Sequence, residues 1–169
     1  MNHSPLKKIS PHKSIACLKT ILRTSTPVHV MLLHDGFLES ALIKDKYRVF
    51  SHTSASNIYN FWDCLSKDPK KLYNMVVNLD STSAQDPEKS YGFFRNSWYD
   101  RPNVYMRAAL FFIVSISSED GTISSGRIEQ NAAKKFLFGK LRAFRRSDKW
   151  FPTYHHELNI AEQTETIPK

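Results

Sequence analysis

Residues 103–116, NVYMRAALFFIVSI, are apolar nearly all round the helix that their composition predicts. A helix without a polar face is stable where other elements cover it, so we expect this one at the centre of the core. Its apolar run is shorter than the roughly 18 residues that a membrane-spanning helix needs, and no other window of the sequence reaches that length. The segment therefore predicts a globular protein built around one buried helix.

Three more helices are predicted on the N-terminal side of this segment. The first follows Ser54, a suitable N-cap, and its apolar residues recur at the i, i+3, i+4 and i+7 positions of one helix face. The second and third begin at Asp68-Pro69 and Asp86-Pro87, where the aspartate is the N-cap and the proline is the first helical residue. This part of the chain is thus expected to form a helical layer.

Two short strands are predicted before the helices. Residues 28–33 form an apolar run after Pro27, and residues 47–50 form a second run that follows three charged residues. Between the two runs, Gly36 and residues 37–43 indicate a turn and a short helix, which completes a strand–helix–strand unit. The fold class expected from the whole pattern is α/β and predominantly helical, with about two strands.

One domain is expected, because 169 residues with 41% hydrophobic content can bury a single core. We place the domain at residues 14–152, between a flexible N-terminal arm, residues 1–13, and a polar, disordered tail, residues 153–169. Cys17 and Cys64 have no second cysteine or histidine at metal-ligand spacing, so both are expected to be buried thiols and no metal site is predicted. The N-terminus carries no signal-peptide pattern, so a cytoplasmic location is expected.

The charge balance favours a polyanionic partner, because 24 Lys and Arg against 16 Asp and Glu give a net charge of +8. The cations concentrate in a predicted helix, residues 130–146, where Lys135, Arg142 and Arg146 form a basic stripe opposite an apolar face. A solvated helix face is the alternative interpretation of the stripe. The residues predicted to contact nucleic acid are Lys134, Lys135, Lys140, Arg142, Arg145, Arg146, Lys149 and, by stacking on a base or sugar, Trp150 or Phe151.

The stretch 117–126, SSEDGTISSG, is predicted to be a loop because it contains an Asp-Gly pair and a Ser-Gly pair. Its backbone amides could approach a phosphate. We favour an ordinary exposed turn, since no Lys-Ser or Lys-Thr pair follows to complete a phosphate-binding loop.

Several motifs, taken in order, resemble those of the adenine-specific DNA methyltransferases of the DNA adenine methylase type. That family has a PLKW-like start, a glycine-rich turn after a strand, an acidic residue after a second strand, a helix that restarts with Asn-Pro, and an Arg-Ala-Ala-Leu-Phe helix. The resemblance covers about residues 4–138. The matching segments are Pro5-Leu6-Lys7-Lys8 with Lys13, MLLHDGFLES (31–40), SHTS (51–54), DPKKL (68–72), residues 91–95, RAALFF (107–112) and the loop from Gly121 to Gly126.

The resemblance implies a partial Rossmann-like core with a large helical insertion, in which Gly36 and His52 stand at the two positions that bind S-adenosylmethionine. Only one glycine of the family's turn remains, and a histidine replaces the ribose-binding carboxylate. The catalytic D/N-P-P-Y/F motif is absent from the sequence, so no catalytic residue is predicted. We therefore expect a noncatalytic, degenerate relative, of the kind a phage could carry, that binds DNA or, as the second choice, RNA.

Two other functions remain open at this point. The chain could be one half of a split methyltransferase that binds S-adenosylmethionine only together with a protein partner supplying the missing motif. It could also be a structural protein that docks into a larger assembly through Tyr91, Phe94, Trp98 and Tyr99, although ordinary core packing is the favoured interpretation of these aromatic residues. Binding to a membrane is not expected in any of the three cases.

Overall fold

The computed structural model describes residues 4–6, 20–31, 33–83, 86–118 and 134–156, without the side chains of residues 83, 87 and 134–136. This part of the chain is α/β, with a small parallel sheet and a larger number of helices. The elements are β1 (Val28–Val30), α1 (Phe37–Lys44), β2 (Val49–Thr53), α2 (Ser56–Lys67), α3 (Pro69–Ser83), α4 (Pro87–Ser97), α5 (Val104–Ser117), α6 (Lys134–Ala143) and β3 (Trp150–Tyr154). The predicted α/β class with a helical majority is confirmed.

The sheet is parallel throughout, in the order β1-β2-β3, with β2 in the centre. Val28 pairs with Val49, and Val49 pairs with Trp150. The predicted strand–helix–strand unit is confirmed by β1, α1 and β2. The expectation of about two strands was wrong, because β3 follows the last helix and pairs with β2. It also extends to Tyr154, two residues beyond the predicted domain boundary at residue 152.

The core is centred on α5, as the all-round apolar sequence predicts. Ten consecutive residues of this helix, from Ala108 to Ser117, are buried. The helix packs against α2, α3, α4 and α6. A helix with neighbours on every side has no solvent face for a polar stripe, which explains the composition of the segment.

Two of the three predicted N-caps are confirmed, whereas the prediction of Ser54 was wrong because α2 begins after Ala55, which makes no side-chain cap bond. The Asp68 carboxylate accepts a hydrogen bond from the Lys71 amide at 2.9 Å, and Asp86 accepts one from the Lys89 amide at 3.0 Å. These bonds satisfy amides that have no partner within the helix, and the following proline has no amide to satisfy. Local sequence therefore fixes where α3 and α4 begin.

One face of the sheet packs on the helices. Val49, Ser51 and Trp150 on this face are fully buried. The Trp150 ring meets Trp62 of α2 edge-on, with centroids 5.3 Å apart. Since side chains alternate along a strand, the residues between these positions lie on the opposite face of the sheet.

The predicted N-terminal arm was wrong for the three arm residues that the structure describes. Ser4 and Leu6 are buried, and the Ser4 hydroxyl donates a hydrogen bond to the carbonyl of Asp35. Cys64 is a buried free thiol, as predicted, whereas Cys17 lies outside the described residues. The predicted loop lies outside them from residue 119 onward. Within the described part, none of the helices has the length and apolar character needed to cross a membrane.

Candidate functional site

The predicted basic stripe of the last helix was wrong, because α6 ends at Ala143 and Arg146 lies beyond it. The physical reason is Phe144, whose ring is buried against Trp62 and Trp150. Its amide donates to the Leu141 carbonyl at 3.3 Å, three residues back, so the chain leaves the α-helical path at this point. Insertion of this ring into the core outweighs the helical pattern that the sequence suggests.

Trp150, which was predicted to stack on a base or sugar, has a fully buried side chain, so its ring is not accessible from the surface. The indole Nε1 donates a hydrogen bond to the Ser51 hydroxyl at 2.9 Å in the interior. Phe151, the alternative residue for stacking, lies on the other face of β3 and is partly exposed. Because side chains alternate along a strand, Trp150 and Phe151 lie on opposite faces of β3. A prediction that did not include β3 could not tell which of the two is exposed.

The remaining predicted cations divide into three groups. The side chains of Lys134 and Lys135 lie outside the described part. Lys140 is half-buried with its Nζ 5.6 Å from the centre of the Phe37 ring, and burial lowers its pKa. Arg142, Arg145 and Arg146 are exposed, and Lys149 is half-buried. Among the predicted cations whose side chains are described, the three arginines are therefore the most accessible to an external anion.

Arg142 and Arg145 line one side of a cleft between α6 and α3. The cleft has a volume of about 410 Å³. The Arg142 guanidinium lies 5.8 Å from the centre of the Tyr73 ring, and an Arg145 N–H donates to the Phe144 carbonyl at 2.7 Å. We call it the basic cleft, and its lining residues are Pro69, Lys70, Tyr73, Asn74, Arg142 and Arg145.

The basic cleft combines three cationic side chains with the first turn of α3. A helix N-terminus carries a partial positive charge, which adds to the charges of Lys70, Arg142 and Arg145. The Asp68 carboxylate opposes this effect at the same helix end, where it caps the Lys71 amide. Tyr73 and Asn74 add a phenol and an amide that can hydrogen-bond to an oxyanion. The balance of charge at the cleft is positive.

Lys70 was not among the residues predicted to contact nucleic acid. The sequence pattern of its segment indicates only a helix start, and the two arginines of the cleft are more than 70 positions away from Lys70 in the sequence. The available signal was the pair Lys70-Lys71 in the first turn of α3, where acidic residues are usually favoured. Only tertiary packing brings Lys70 together with Arg142 and Arg145.

Gly36, one of the two predicted cofactor residues, is the left-handed N-cap residue of α1 with φ of 71°. The adjacent Asp35 carboxylate accepts a hydrogen bond from the Phe37 amide at 3.0 Å. Glu39, in the first turn of α1, is buried, and burial raises its pKa to about 7. Gly36 thus forms the turn at the start of α1, and two carboxyl groups, those of Asp35 and Glu39, belong to the same turn and the first helical turn after it.

His52, the second predicted cofactor residue, has both ring nitrogens engaged. Its Nε2 lies 3.1 Å from Nδ1 of His29, and its Nδ1 lies 2.9 Å from Nε2 of His155. These contacts leave no nitrogen of His52 for a ribose hydroxyl, so the residues present do not fit S-adenosylmethionine in the manner of the family. Within the described part of the chain, no three His, Cys, Asp or Glu side chains are grouped to hold a metal ion.

The four aromatic residues of the predicted docking face do not form one surface. Tyr91 and Phe94 are buried in the core, which agrees with the favoured interpretation that these residues take part in ordinary core packing. Trp98 packs against the core and is half-buried, while Tyr99 is 59% exposed. The docking surface as predicted was therefore wrong for Tyr91 and Phe94.

Comparison of the chain with models of known protein families finds no match, and no curated protein matches its sequence. The relation to DNA adenine methyltransferases thus depends on the sequence motifs and stays a prediction.

Proposed function

We propose that this chain is a noncatalytic nucleic-acid-binding protein that holds a phosphate backbone in the basic cleft. The observation that carries the proposal is the convergence of Lys70, Arg142 and Arg145 from two separate parts of the chain on one cleft. Phosphate groups are recognised by such clusters, because arginine offers paired N–H donors in the geometry of an oxyanion and lysine adds a point charge. The net charge of +8 favours the same class of partner.

The proposal includes descent from a DNA adenine methyltransferase with loss of the cofactor site. Three features support it: the strand–helix–strand unit, the left-handed Gly36 at its turn, and the sequence motifs around it. The contacts of His52 with His29 and His155 argue against a working cofactor site in this chain. Nucleic-acid binding is accordingly expected to be indifferent to S-adenosylmethionine, whereas a split enzyme would require the cofactor and a second chain.

The test is a titration of labelled duplex DNA and single-stranded RNA at several salt concentrations, with and without S-adenosylmethionine. The variant Arg142→Ala/Arg145→Ala removes two cations from the cleft, and Lys44→Ala/Lys89→Ala removes the same charge from exposed positions on α1 and α4. Neutralised phosphates release counterions, so the slope of log affinity against log salt falls by about 0.9 for each duplex phosphate that the protein no longer neutralises. The cleft variant should show this fall and the charge-matched control should not.

Equal losses of affinity in the two variants would mean that binding follows net charge alone, and the cleft would have no special part in it. Absence of binding to either polymer would reject the proposal. A gain in affinity on adding S-adenosylmethionine would favour the enzyme hypothesis.

A further inference from the structure

The face of the sheet opposite the helices carries rings and cations. Most of its residues are partly exposed, and Arg48 is exposed. We call this surface the aromatic sheet face, and it consists of His29, Arg48, Phe50, His52, Phe151 and His155. We infer that the aromatic sheet face binds the unpaired bases of a single-stranded nucleic acid, an inference that rests on the proposed function and adds a second site to it.

Three rings form a row across the three strands. The Phe50 centroid lies 5.0 Å from His29 with planes 10° apart, and 4.9 Å from Phe151 with planes 19° apart. Nearly parallel rings at this spacing are offset-stacked, so part of each ring is left uncovered by its neighbour. His29 and Phe151 lie on the outer strands of the described sheet, and a base can continue the row at either end.

The three histidines extend this row along the strands. The His29 and His52 planes differ by 10°, and their centroids are 5.3 Å apart. Nδ1 of His29 and Nε2 of His52 are 3.1 Å apart. The distance between the centroids is longer than this by about two ring radii, so the two nitrogens lie on the line between the ring centres. The two imidazoles therefore lie edge to edge in nearly one plane. Burial, with His155 and His29 nearby, lowers the pKa of His52, which favours the uncharged form of its ring.

Arg48 adds a cation to the rings. Its guanidinium carbon lies 5.2 Å from the Phe50 centroid and 5.0 Å from that of Phe151, within the range of a cation–π contact. Because the side chain is exposed, its N–H groups can also meet a phosphate. Lys46 and Lys149 come together at the same end of the strands, where the Lys149 ammonium donates to the Lys46 carbonyl at 3.3 Å. Stacking surface and positive charge thus occur side by side.

This composition favours an unpaired nucleic acid over a protein or a duplex. Parallel strands covered by protein on both faces carry mainly Val, Ile and Leu, whereas this face carries His, Phe and Arg. Bases inside a duplex are already stacked on both sides and cannot offer their faces. Aromatic side chains beside cations are the combination that binds single strands with little sequence preference.

The test compares the binding of oligothymidylate with that of an abasic oligonucleotide of equal length, which has the phosphates but no bases. The variant Phe50→Leu/Phe151→Leu keeps apolar area and removes the rings, and Phe50→Tyr/Phe151→Tyr restores stacking. Phe93→Leu is the matched control, because Phe93 is 57% exposed on α4. An oligonucleotide containing 2-aminopurine reports stacking on the wild-type protein directly, through loss of its fluorescence on binding.

We expect the Leu variant to lose about tenfold or more in affinity for oligothymidylate, with an unchanged salt slope and unchanged affinity for the abasic strand. The Tyr variant and Phe93→Leu should bind as the wild type does. The inference is overturned if the Leu variant binds oligothymidylate as tightly as the wild type does, or if the wild type binds the two strands equally well. Neither result contradicts the proposed role of the basic cleft. If the Leu variant does not fold, unquenched 2-aminopurine in the wild-type complex overturns it. Failure of the wild type to bind any strand overturns the proposed function as well.

Discussion

The indole of Trp150 and the hydroxyl of Ser51 are joined across two adjacent strands by a 2.9 Å hydrogen bond in the interior. Ser51 is fully buried, and no water is needed to satisfy the indole N–H. Trp150 also pairs with Val49 in the register of β2 and β3 and meets the rings of Trp62 and Phe144. This residue therefore holds the third strand to both the sheet and the helices.

Replacement of Ser51 by alanine is expected to destabilise the protein by about 1–3 kcal/mol, because the buried indole N–H of Trp150 loses its acceptor. The free energy of unfolding from urea titrations measures the loss. Ser81→Ala is the control, since the exposed Ser81 hydroxyl bonds only to a carbonyl of its own helix, and a change within about 0.5 kcal/mol is expected. Equal effects of the two substitutions would contradict the role given to the buried bond.

The sequence predicts the helices of this fold well because their signals are local. Proline after aspartate marks the starts of α3 and α4, and the apolar residues of α5 recur on every side of the helix. The strand β3 was missed because its sequence, WFPTY, contains a proline, which is unusual inside a strand. It becomes a strand through pairing with β2, which is about 100 residues away in the sequence.

The candidate site was predicted only in part, for the same reason. Arg142 and Arg145 were identified from charge, whereas Lys70 required knowledge of how α3 packs on α6. The aromatic sheet face could not be predicted from the sequence because its rings come from three separate strands. In the sequence, His52 was interpreted as a replaced cofactor residue, and its contacts with His29 and His155 arise only from the strand register.

The two glycines Gly36 and Gly139 are expected to respond to alanine with opposite signs. Gly36 has φ of 71°, a left-handed conformation that costs an alanine about 1–2 kcal/mol. Gly139 lies inside α6, and a Cβ added there meets no atom within 4 Å, so alanine should stabilise the helix by about 0.5–1 kcal/mol. Urea titrations monitored by circular dichroism measure the change in the free energy of unfolding for both variants. Stabilisation by Gly36→Ala would contradict the left-handed turn.

Glu39 is expected to make the protein less stable as the pH rises. Its pKa is raised from 4.5 to about 7, chiefly by burial, so the folded state holds the proton more tightly than the unfolded state. This contribution is complete below about pH 4.5 and is lost as the pH rises through about 7, an effect on the order of a few kcal/mol. Its Oε1 has no hydrogen-bond partner among the described residues, which agrees with a neutral acid.

Glu39→Gln tests this expectation, because glutamine is similar in size and stays neutral at every pH. The variant should match the wild type near pH 4 and become the more stable of the two near pH 8, as measured by urea unfolding at each pH. Glu88→Gln, in the first turn of α4 at an exposed position, is the control. Parallel stability curves for wild type and Glu39→Gln would show that the carboxyl is not buried as described.

His52 is expected to act in the opposite direction, with a loss of stability as the pH falls. Burial, then the neighbouring His155 and His29, lower its pKa below the usual 6.5, so the folded state binds the proton more weakly than the unfolded state. Its contribution is therefore complete above about pH 6.5 and is lost as the pH falls through the lower folded value. The double variant Glu39→Gln/His52→Gln, compared with Glu39→Gln alone at about pH 5 and about pH 8, isolates this effect. The histidine-containing protein should lose more stability on going from about pH 8 to about pH 5, and equal losses would mean that neither burial nor the neighbouring His155 and His29 oppose protonation of His52.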